Sequence, residues 1–563
     1  MAESPKVKKL KYTRDTLHSA RSGFMDLWQR TAEVILPNRA NFTTQLTPGA
    51  MRTSGRFDST GMVAHRDLKT AMSAMLMPKT DKWLFVRPED PALDRDDEVL
   101  MWCQIVEDAM WRAIYDKDVQ FLRYSGECSD DVTAFGQGHL FMGLNQRRSH
   151  LQFRSFHLKD VVYKENVDGV INQIFRDRYL NADQAASLFP KEKLPKEIQD
   201  ELGKEKSDPN RTWRFTYCIY PNDDYDPYRG EYAVPAYGQF RECVICEKGD
   251  EIIAEAGYAD FPIATPRWDT SSDETNARSP AQIALGSMLS LQQIGKTLLK
   301  AGHMAVEPPI MAPHNAVVDR VKLFPGGVTY YMPDKMANYG QRAPIGPLVT
   351  DFKLPYGRDI QQDERNQVMI AFFKNVLNLP INGPQMTATE VAMRQQEFIR
   401  TVGPIFGRLE SDYPAAIAVR VFQIMRRERA FPPPPRALEG GGIKFDFLSP
   451  VYKVIEQTKL NGFRQWMEDM APLAMTKPHV LDHIDEDEFA RDAAKIRGLP
   501  QTWLRSRDGV KAIRDRRSQM EQMEKQKQDA ERMAGAGVNA AKVVQLGADA
   551  KLKDRQAAAA AAA

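Results

Sequence analysis

The chain has 563 residues, 42% hydrophobic and 27% charged, the balance of a large globular protein with room for about three or four modules. Its 77 Lys and Arg stand against 75 Asp and Glu, a formal net charge of +2, which excludes the basic excess of a protein that grips nucleic acid statically. No run approaches the roughly 18 apolar residues of a membrane span, and the five cysteines are a sparse, odd set, as expected of buried thiols in a reducing compartment.

Met1 to Arg14 carries Lys6, Lys8, Lys9 and Lys11 with no apolar stretch behind them, so it is not a secretory signal and reads as a solvated, disordered terminus. Residues 13–36 form a helix by spacing, with Leu17, Ala20, Phe24, Leu27, Trp28, Ala32 and Ile35 on one face and Pro37 as its stop. A polar, Gly/Thr-rich loop spans 38–58. A second helix covers 59–77 up to Pro78, and further helices 94–115 and 119–136 follow the short apolar run Trp83–Val86.

The period then changes. Residues 139–144, 151–157, 161–164 and 170–176 read as strands divided by turn formers such as Asp168-Gly169. Asn181 and Gln184 cap a short helix over 182–189, and strands return at 212–220, 237–247 and 251–258. Helices first and strands after predict an α+β, predominantly helical fold, not a parallel α/β repeat.

From Ser279 the pattern is helical again, with Pro280 at its first turn and Ile283, Ala284, Met288, Leu291, Ile294 and Leu298 at three-to-four spacing. Small residues among them (Gly286, Ser287, Ser290, Gly295, Ala301) would let neighbouring helices approach closely. Residues 303–356 are rich in proline and glycine. A helix over 358–378 is polar in its first half and apolar in its second. Leu379 to Pro384 can only be a loop, and behind it Thr387 and Glu390 form a T-x-x-E capping box that opens a long helix, kinked at Pro404 and near Pro414. The tract Phe431–Pro435 with Glu439–Gly442 is the clearest boundary in the chain. A strand at 443–447, helices at 450–471 and 485–497, a charged helix at 508–533 and a fraying alanine-rich end complete the chain.

Catalytic signatures are absent: no G-x-x-x-x-G-K-[ST] loop, no H-E-x-x-H and no G-x-S-x-G. Cys243 and Cys246 make a lone C-x-x-C with only Cys218 nearby, so they read as two strand thiols and not as half of a zinc site. His479 and His483 precede Asp485, Glu486, Asp487 and Glu488. Carboxylates at a helix start are more simply read as compensating its dipole than as holding a divalent ion. No catalytic residue, cofactor or metal is expected.

Several pieces occur in a telling order: Trp28 to Pro37-Asn-Arg39, Phe57-Asp-Ser-Thr-Gly61 with Ala64 to Pro78 and Trp83, Phe261-Pro262, Arg267-Trp268, Arg278-Ser-Pro280, Thr387-Ala-Thr-Glu390 and Phe447-Leu-Ser-Pro450. Together, over about 15–470, they resemble the portal proteins, the head-to-tail connectors of short-tailed bacteriophages of the podovirus type. Where that family carries aromatic and glycine residues ahead of the R-x-P motif, this chain has Thr275, Asn276, Ala277 and Ser279.

The resemblance implies a portal fold of wing, stem, clip and crown, assembled as a ring that is usually dodecameric at one capsid vertex of a virion made in a bacterial cytoplasm. Double-stranded DNA would be packaged and ejected through its channel. It implies a wing of N-terminal helices and mixed β structure over 1–278, stem helices at 279–302 and 357–379, and a clip at 303–356. A channel loop would follow at 380–386, a long kinked wing helix region at 387–435, a strand with crown helices at 436–507, and a charged helical tail at 508–563. Its partners would be copies of itself, DNA in the channel, the terminase large subunit, a tail adaptor, and the major capsid and scaffolding proteins.

A ring multiplies every lining side chain, so a lining rich in Lys or Arg would hold the duplex where an acidic or amide wall would pass it. Asp359, Asp363, Glu364, Asn375, Asn378, Asn382 and Gln385 suit that wall, with Lys374 as a sparse phosphate contact and the Thr387/Glu390 cap behind the loop. The competing readings are a nucleic-acid-processing enzyme of DNA packaging, which the missing nucleotide loop disfavours, and another core or tail component of a virion.

Overall fold

The computed structural model describes all of the chain except residues 1–4, 46, 48, 50–54, 146, 205–207, 224–237, 250, 273, 314–321, 323, 332–345, 348–353, 375–402, 439–440, 448–459, 461, 473–476, 478–483, 498, 500–502 and 561–563. It divides into two compact units. The first holds Met1–Arg87, Ile105–Pro433 and Ile443–Glu456; the second holds Pro88–Gln104, Pro434–Gly442 and Gln457–Ala563.

In the first unit the basic N-terminus is a helix, α1 (Pro5–Ala20), where a solvated disordered segment was expected. Val7 and Leu10 are buried against Val162, Phe175, Cys218 and Ile245, Lys6 lies over the Tyr220 ring, Lys11 donates to the Gly249 carbonyl at 2.9 Å, and Lys8 and Lys9 are exposed. A buried ion pair fixes it further: Arg14 donates to Asp177 at 2.5–3.2 Å. Thr216 Oγ1 donates to the same carboxylate at 2.7 Å. Burial alone would raise the Asp177 pKa, but these donors and His18 hold it well below the usual carboxylate range.

The single helix expected over 13–36 is two, because the chain turns at Arg21 before α2 (Ser22–Ile35). The Arg21 guanidinium donates to the carbonyls of Leu158 and Val161, and to that of Lys159, so one side chain satisfies three acceptors of the next layer. Trp28 is fully buried in α2 and donates to the carbonyl of Phe135 at 3.1 Å.

Next come α3 (Thr60–Leu76), β1 (Leu84–Pro88), α4 (Asp97–Ile114) and α5 (Phe121–Phe135). Strands β2 (Leu140–Leu144) and β3 (Leu151–Ser155) form a hairpin. An antiparallel five-stranded sheet follows, built from β4 (Val161–Glu165), β5 (Ile171–Leu180), β6 (Trp213–Pro221), β7 (Phe240–Cys246) and β8 (Ile252–Tyr258) in sequence order. Two short helices, α6 (Ala182–Leu188) and α7 (Lys196–Leu202), interrupt it, the first capped by Asn181 and Gln184 as the sequence predicts. The sheet is buried on both faces. Trp213, Phe215, Val244 and Cys246 pack with α6 and α7, while Cys218, Cys243 and Ile245 pack with α1.

Strand β9 (Ile263–Ala264) pairs with β2, and the chain then enters α8 (Pro280–Ile283) and α9 (Leu285–Val306). Gly136, at φ 91°, permits this approach: a Cβ there would lie 2.5 Å from the carbonyl oxygen of Ala277. Strands β10 (Ile310–Pro313), β11 (Val328–Tyr331) and β12 (Gly346–Pro347) make a small sheet before α10 (Leu354–Ala371). Residues 403–412 are helical and run into α11 (Pro414–Arg427), after which β13 (Ile443–Phe447) pairs with β1. The second unit contains α12 (Glu486–Ile496) and α13 (Arg507–Ala560). The 54 residues of α13 extend the charged helix expected over 508–533 through the alanine-rich end.

Candidate functional site

The paired helices α9 and α10 are built from small residues outward. Ser279 caps the approach to them, accepting from Gln282 N while Gln282 Oε1 accepts from Ser279 N; its hydroxyl also donates to the Ala134 carbonyl at 2.8 Å. This S-x-x-Q box was legible beside Pro280, yet only the proline draws attention in the sequence. Just upstream, Gln137 Oε1 accepts from Ala277 N at 3.0 Å and its amide donates to Asn276 at 3.0 Å. Polar contacts therefore pack the stretch where the portal pattern has aromatic and glycine residues.

Helices α9 and α10 lie side by side and antiparallel, since Ser287 meets Gln367 near one end and Leu298 meets Gly357 near the other. A Cβ on Gly357 would approach Leu298 Cδ2 to 2.6 Å, and one on Gly295 would sit 2.8 Å from Phe57 Cβ. Glycine is thus what allows α9 to touch both α10 and the segment leading into α3. The 22 residues of α9 span about 33 Å.

That segment, Phe57-Asp-Ser-Thr60, is held from both helices. Gln292 Oε1 on α9 accepts from the backbone N–H groups of Phe57 and Asp58 at 2.8 and 3.1 Å, and its amide donates to the Asp58 carbonyl at 2.7 Å. Arg365 on α10 donates through Nε and Nη2 to Asp58 Oδ2 at 2.9 and 2.7 Å. Asp58 Oδ1 accepts from Thr60 N at 2.8 Å. Burial would raise the Asp58 pKa, but the bonds from Thr60 and the Arg365 guanidinium outweigh it and hold it down. The D-S-T motif is therefore a clamp, and its partners Gln292 and Arg365, some 235 and 307 positions away, carried no signal of that role.

Of the side chains expected along a channel wall, Asp359 and Asp363 are exposed on α10. Glu364 is half-buried, with Oε2 occluded and unpartnered among the described residues. Lys374 Nζ lies 3.0 Å from Asp67 Oδ2, so it takes part in an ion pair with α3. Asn375, Asn378, Asn382, Gln385, Thr387 and Glu390, with the 380–386 loop, fall outside the described residues, as do His479 and His483. The expected helix to 378 is interrupted: α10 ends at Ala371, Phe372 is fully buried, and Phe373 takes φ 56° with its ring 6.2 Å from Trp268.

Cys243 and Cys246 cannot converge on one ion. Positions three apart on a strand face opposite sides of the sheet, and the two thiols lie in separate cores. Among the described residues no group of three or more His, Cys, Asp or Glu side chains is placed to hold a metal. No helix among them is long and apolar enough to cross a membrane.

The model of the bacteriophage head to tail connecting protein family matches residues 7–504. The chain belongs to that family. It is 25% identical over 533 residues to the portal protein of Salmonella phage epsilon15, covering 93% of each chain. It is also 25% identical over 538 residues to the probable portal protein of Bordetella phage BPP-1, covering 93% of this chain and 94% of that one. Among solved structures, a chain from the virion of a native gene transfer agent particle matches with a TM-score of 0.35 at 12% identity, over 81% of this chain and 96% of that one. The α+β, mainly helical architecture is the one expected of the family.

Proposed function

We propose that this chain is a portal subunit, a structural component of the virion at the head-tail junction that closes with copies of itself into a ring through which double-stranded DNA enters and leaves. Family membership across 7–504 and portal relatives aligned nearly end to end support the reading. The observation that carries it is the α9–α10 pair. Its inner faces are spaced by glycine and clamped to α3, while Leu289, Leu299, Val306, Ile360 and Ile370 stand exposed on a single subunit. Neighbouring copies would cover these apolar groups.

In this reading α9 and α10 are the stem helices, the strands between them belong to the clip, and the five-stranded sheet with α1–α7 forms the wing. Residues 380–386 make the channel loop, and α12 and α13 the crown and its extension. Asp359 and Asp363 repeat around the ring as an acidic wall that repels phosphate and lets the duplex pass, with Asn375, Asn378, Asn382 and Gln385 continuing it. Lys374, tied to Asp67, would add little attraction. The subunit performs no bond-breaking chemistry. The terminase large subunit and then a tail adaptor dock at the clip, and capsid and scaffolding proteins surround the wing.

Electron microscopy and native mass measurement of the purified chain test this: a closed ring near twelve copies is expected. A stable monomer across several salt concentrations would refute it. In infected cells, loss of the chain should leave DNA-free proheads. Normal DNA packaging without it would place the chain elsewhere in the virion.

A further inference from the structure

Left-handed backbone is cheapest for glycine, and a residue with a side chain there costs about 1 kcal/mol or more. Arg148 and Arg429 both adopt it, at φ 53° and 55°. Arg429 sits one residue beyond the C-cap of α11. Ala430 N donates to the Met425 carbonyl at 2.9 Å and Arg429 N to that of Arg426 at 3.1 Å, the paired bonds of a Schellman end, whose left-handed position is normally glycine. Arg148 occupies the turn between β2 and β3, where its N–H donates to the Asn145 carbonyl at 2.9 Å. Two turns far apart in sequence thus carry arginine where glycine would be less strained.

They are neighbours in space. Arg148 Nη2 lies 2.5 Å from Glu428 Oε1. Arg147, Arg426 and Arg427 are exposed beside them, and Arg427 reaches Asp260 at 2.6 Å. Glu428 is engaged by Arg148 and Asp260 by Arg427 and the buried Arg420, whereas Arg147, Arg426 and Arg429, exposed in the same two turns, have no carboxylate partner among the described residues. Dipole compensation accounts for the helix-end arginines but not for those of the hairpin turn. A chain with a net charge of only +2 has concentrated positive charge here.

We propose that this cluster binds the phosphate backbone of duplex DNA without reading sequence, at a surface distinct from the α9–α10 pair. Guanidinium forks match phosphate oxygens two at a time, and the basic residues named in these two turns are all arginine. The choice of DNA as the polyanion rests on the portal reading.

The test titrates the full chain into a fluorescent mixed-sequence duplex of about 30 base pairs at several salt concentrations. For the Arg148→Gly/Arg429→Gly variant, affinity at low salt should fall about tenfold. The log–log salt slope should become less negative by about 1.8, because two phosphates are no longer neutralised. Its melting temperature should equal or exceed the parent's, because both turns accept glycine. Arg148→Lys/Arg429→Lys should keep the parent's salt slope, because both charges remain, while losing part of the affinity with the bidentate forks. Unchanged affinity and slope in the glycine variant would overturn the proposal, as would parent protein that binds polyglutamate but not the duplex. A lower melting temperature would show the arginines to be structural and also overturn it. Native mass of the same samples separates the two claims: rings with weakened DNA binding support both, while a parent without rings refutes the portal reading and leaves the duplex titration to judge the patch.

Discussion

Removing Arg365 isolates the value of the clamp. Asp58 is almost fully enclosed, its side chain 2% exposed, whereas that of Arg365 is 36% exposed. Stripping the partner from a fully buried ion pair costs about 3–5 kcal/mol, while exposed pairs are worth about 0.2–1 kcal/mol. With one partner enclosed and the other over a third exposed, Arg365→Ala should cost about 2 kcal/mol. Asp58→Ala loses the bond to Thr60 N as well, but it leaves an arginine that solvent can reach, so it should cost about 1–2 kcal/mol. Because the two side chains bond directly, the double variant should be less destabilised than the sum by about 1 kcal/mol or more.

With two units in the chain, global unfolding need not be two-state. The suitable assay is hydrogen exchange followed by mass spectrometry on peptides from the start of α3, α9 and α10, which reports local opening free energy. The pH dependence supplies a second check. The Asp58 pKa is lowered in the folded state, so its contribution is present above the unfolded value and lost as pH falls through the folded one. Protection of the α3 start should therefore weaken in acid in the parent and lose that dependence in Asp58→Asn. Additivity within about 0.3 kcal/mol, or equal acid sensitivity in both proteins, would refute the clamp.

Gly295→Ala should destabilise α9 by about 1–3 kcal/mol, since the new methyl meets the Phe57 Cβ and backbone; hydrogen exchange of α9 peptides would show it. Gly61→Ala should cost less, because the contact there is the flexible end of Met288. Glu107 is buried, accepts from Val86 N, and is pushed up to about 7 by that burial. A raised carboxyl pKa gives stability that is full below the unfolded value and lost as pH rises through the folded one. Glu107→Gln should thus gain on the parent between pH 5 and 8, by at most about 3 kcal/mol, in the opening free energy of β1 peptides followed by hydrogen exchange across that range. Leu299→Asp should leave the circular dichroism spectrum unchanged while abolishing rings in native mass spectra.

Local pattern carried much of this molecule. Apolar spacing located α3, α4, α5, α9 and most of the sheet strands, Asn181 and Gln184 announced α6, and prolines or glycines marked the ends, because each of these is a property of neighbouring residues. The likeness to portals rested on the order of such short pieces, which the family match across 7–504 bears out.

The tertiary structure decided what depends on distant partners. A lysine-rich start is a helix because Val7 and Leu10 find a sheet assembled from residues more than a hundred positions away. Arg14 finds Asp177 and Arg365 finds Asp58, across 163 and 307 positions, and no spacing rule encodes either pairing. Two arginines share one surface for the same reason: a helix end and a hairpin turn meet only after the chain has folded. Backbone periodicity is local and written in sequence, whereas which side chains share a burial site follows from how the elements stack.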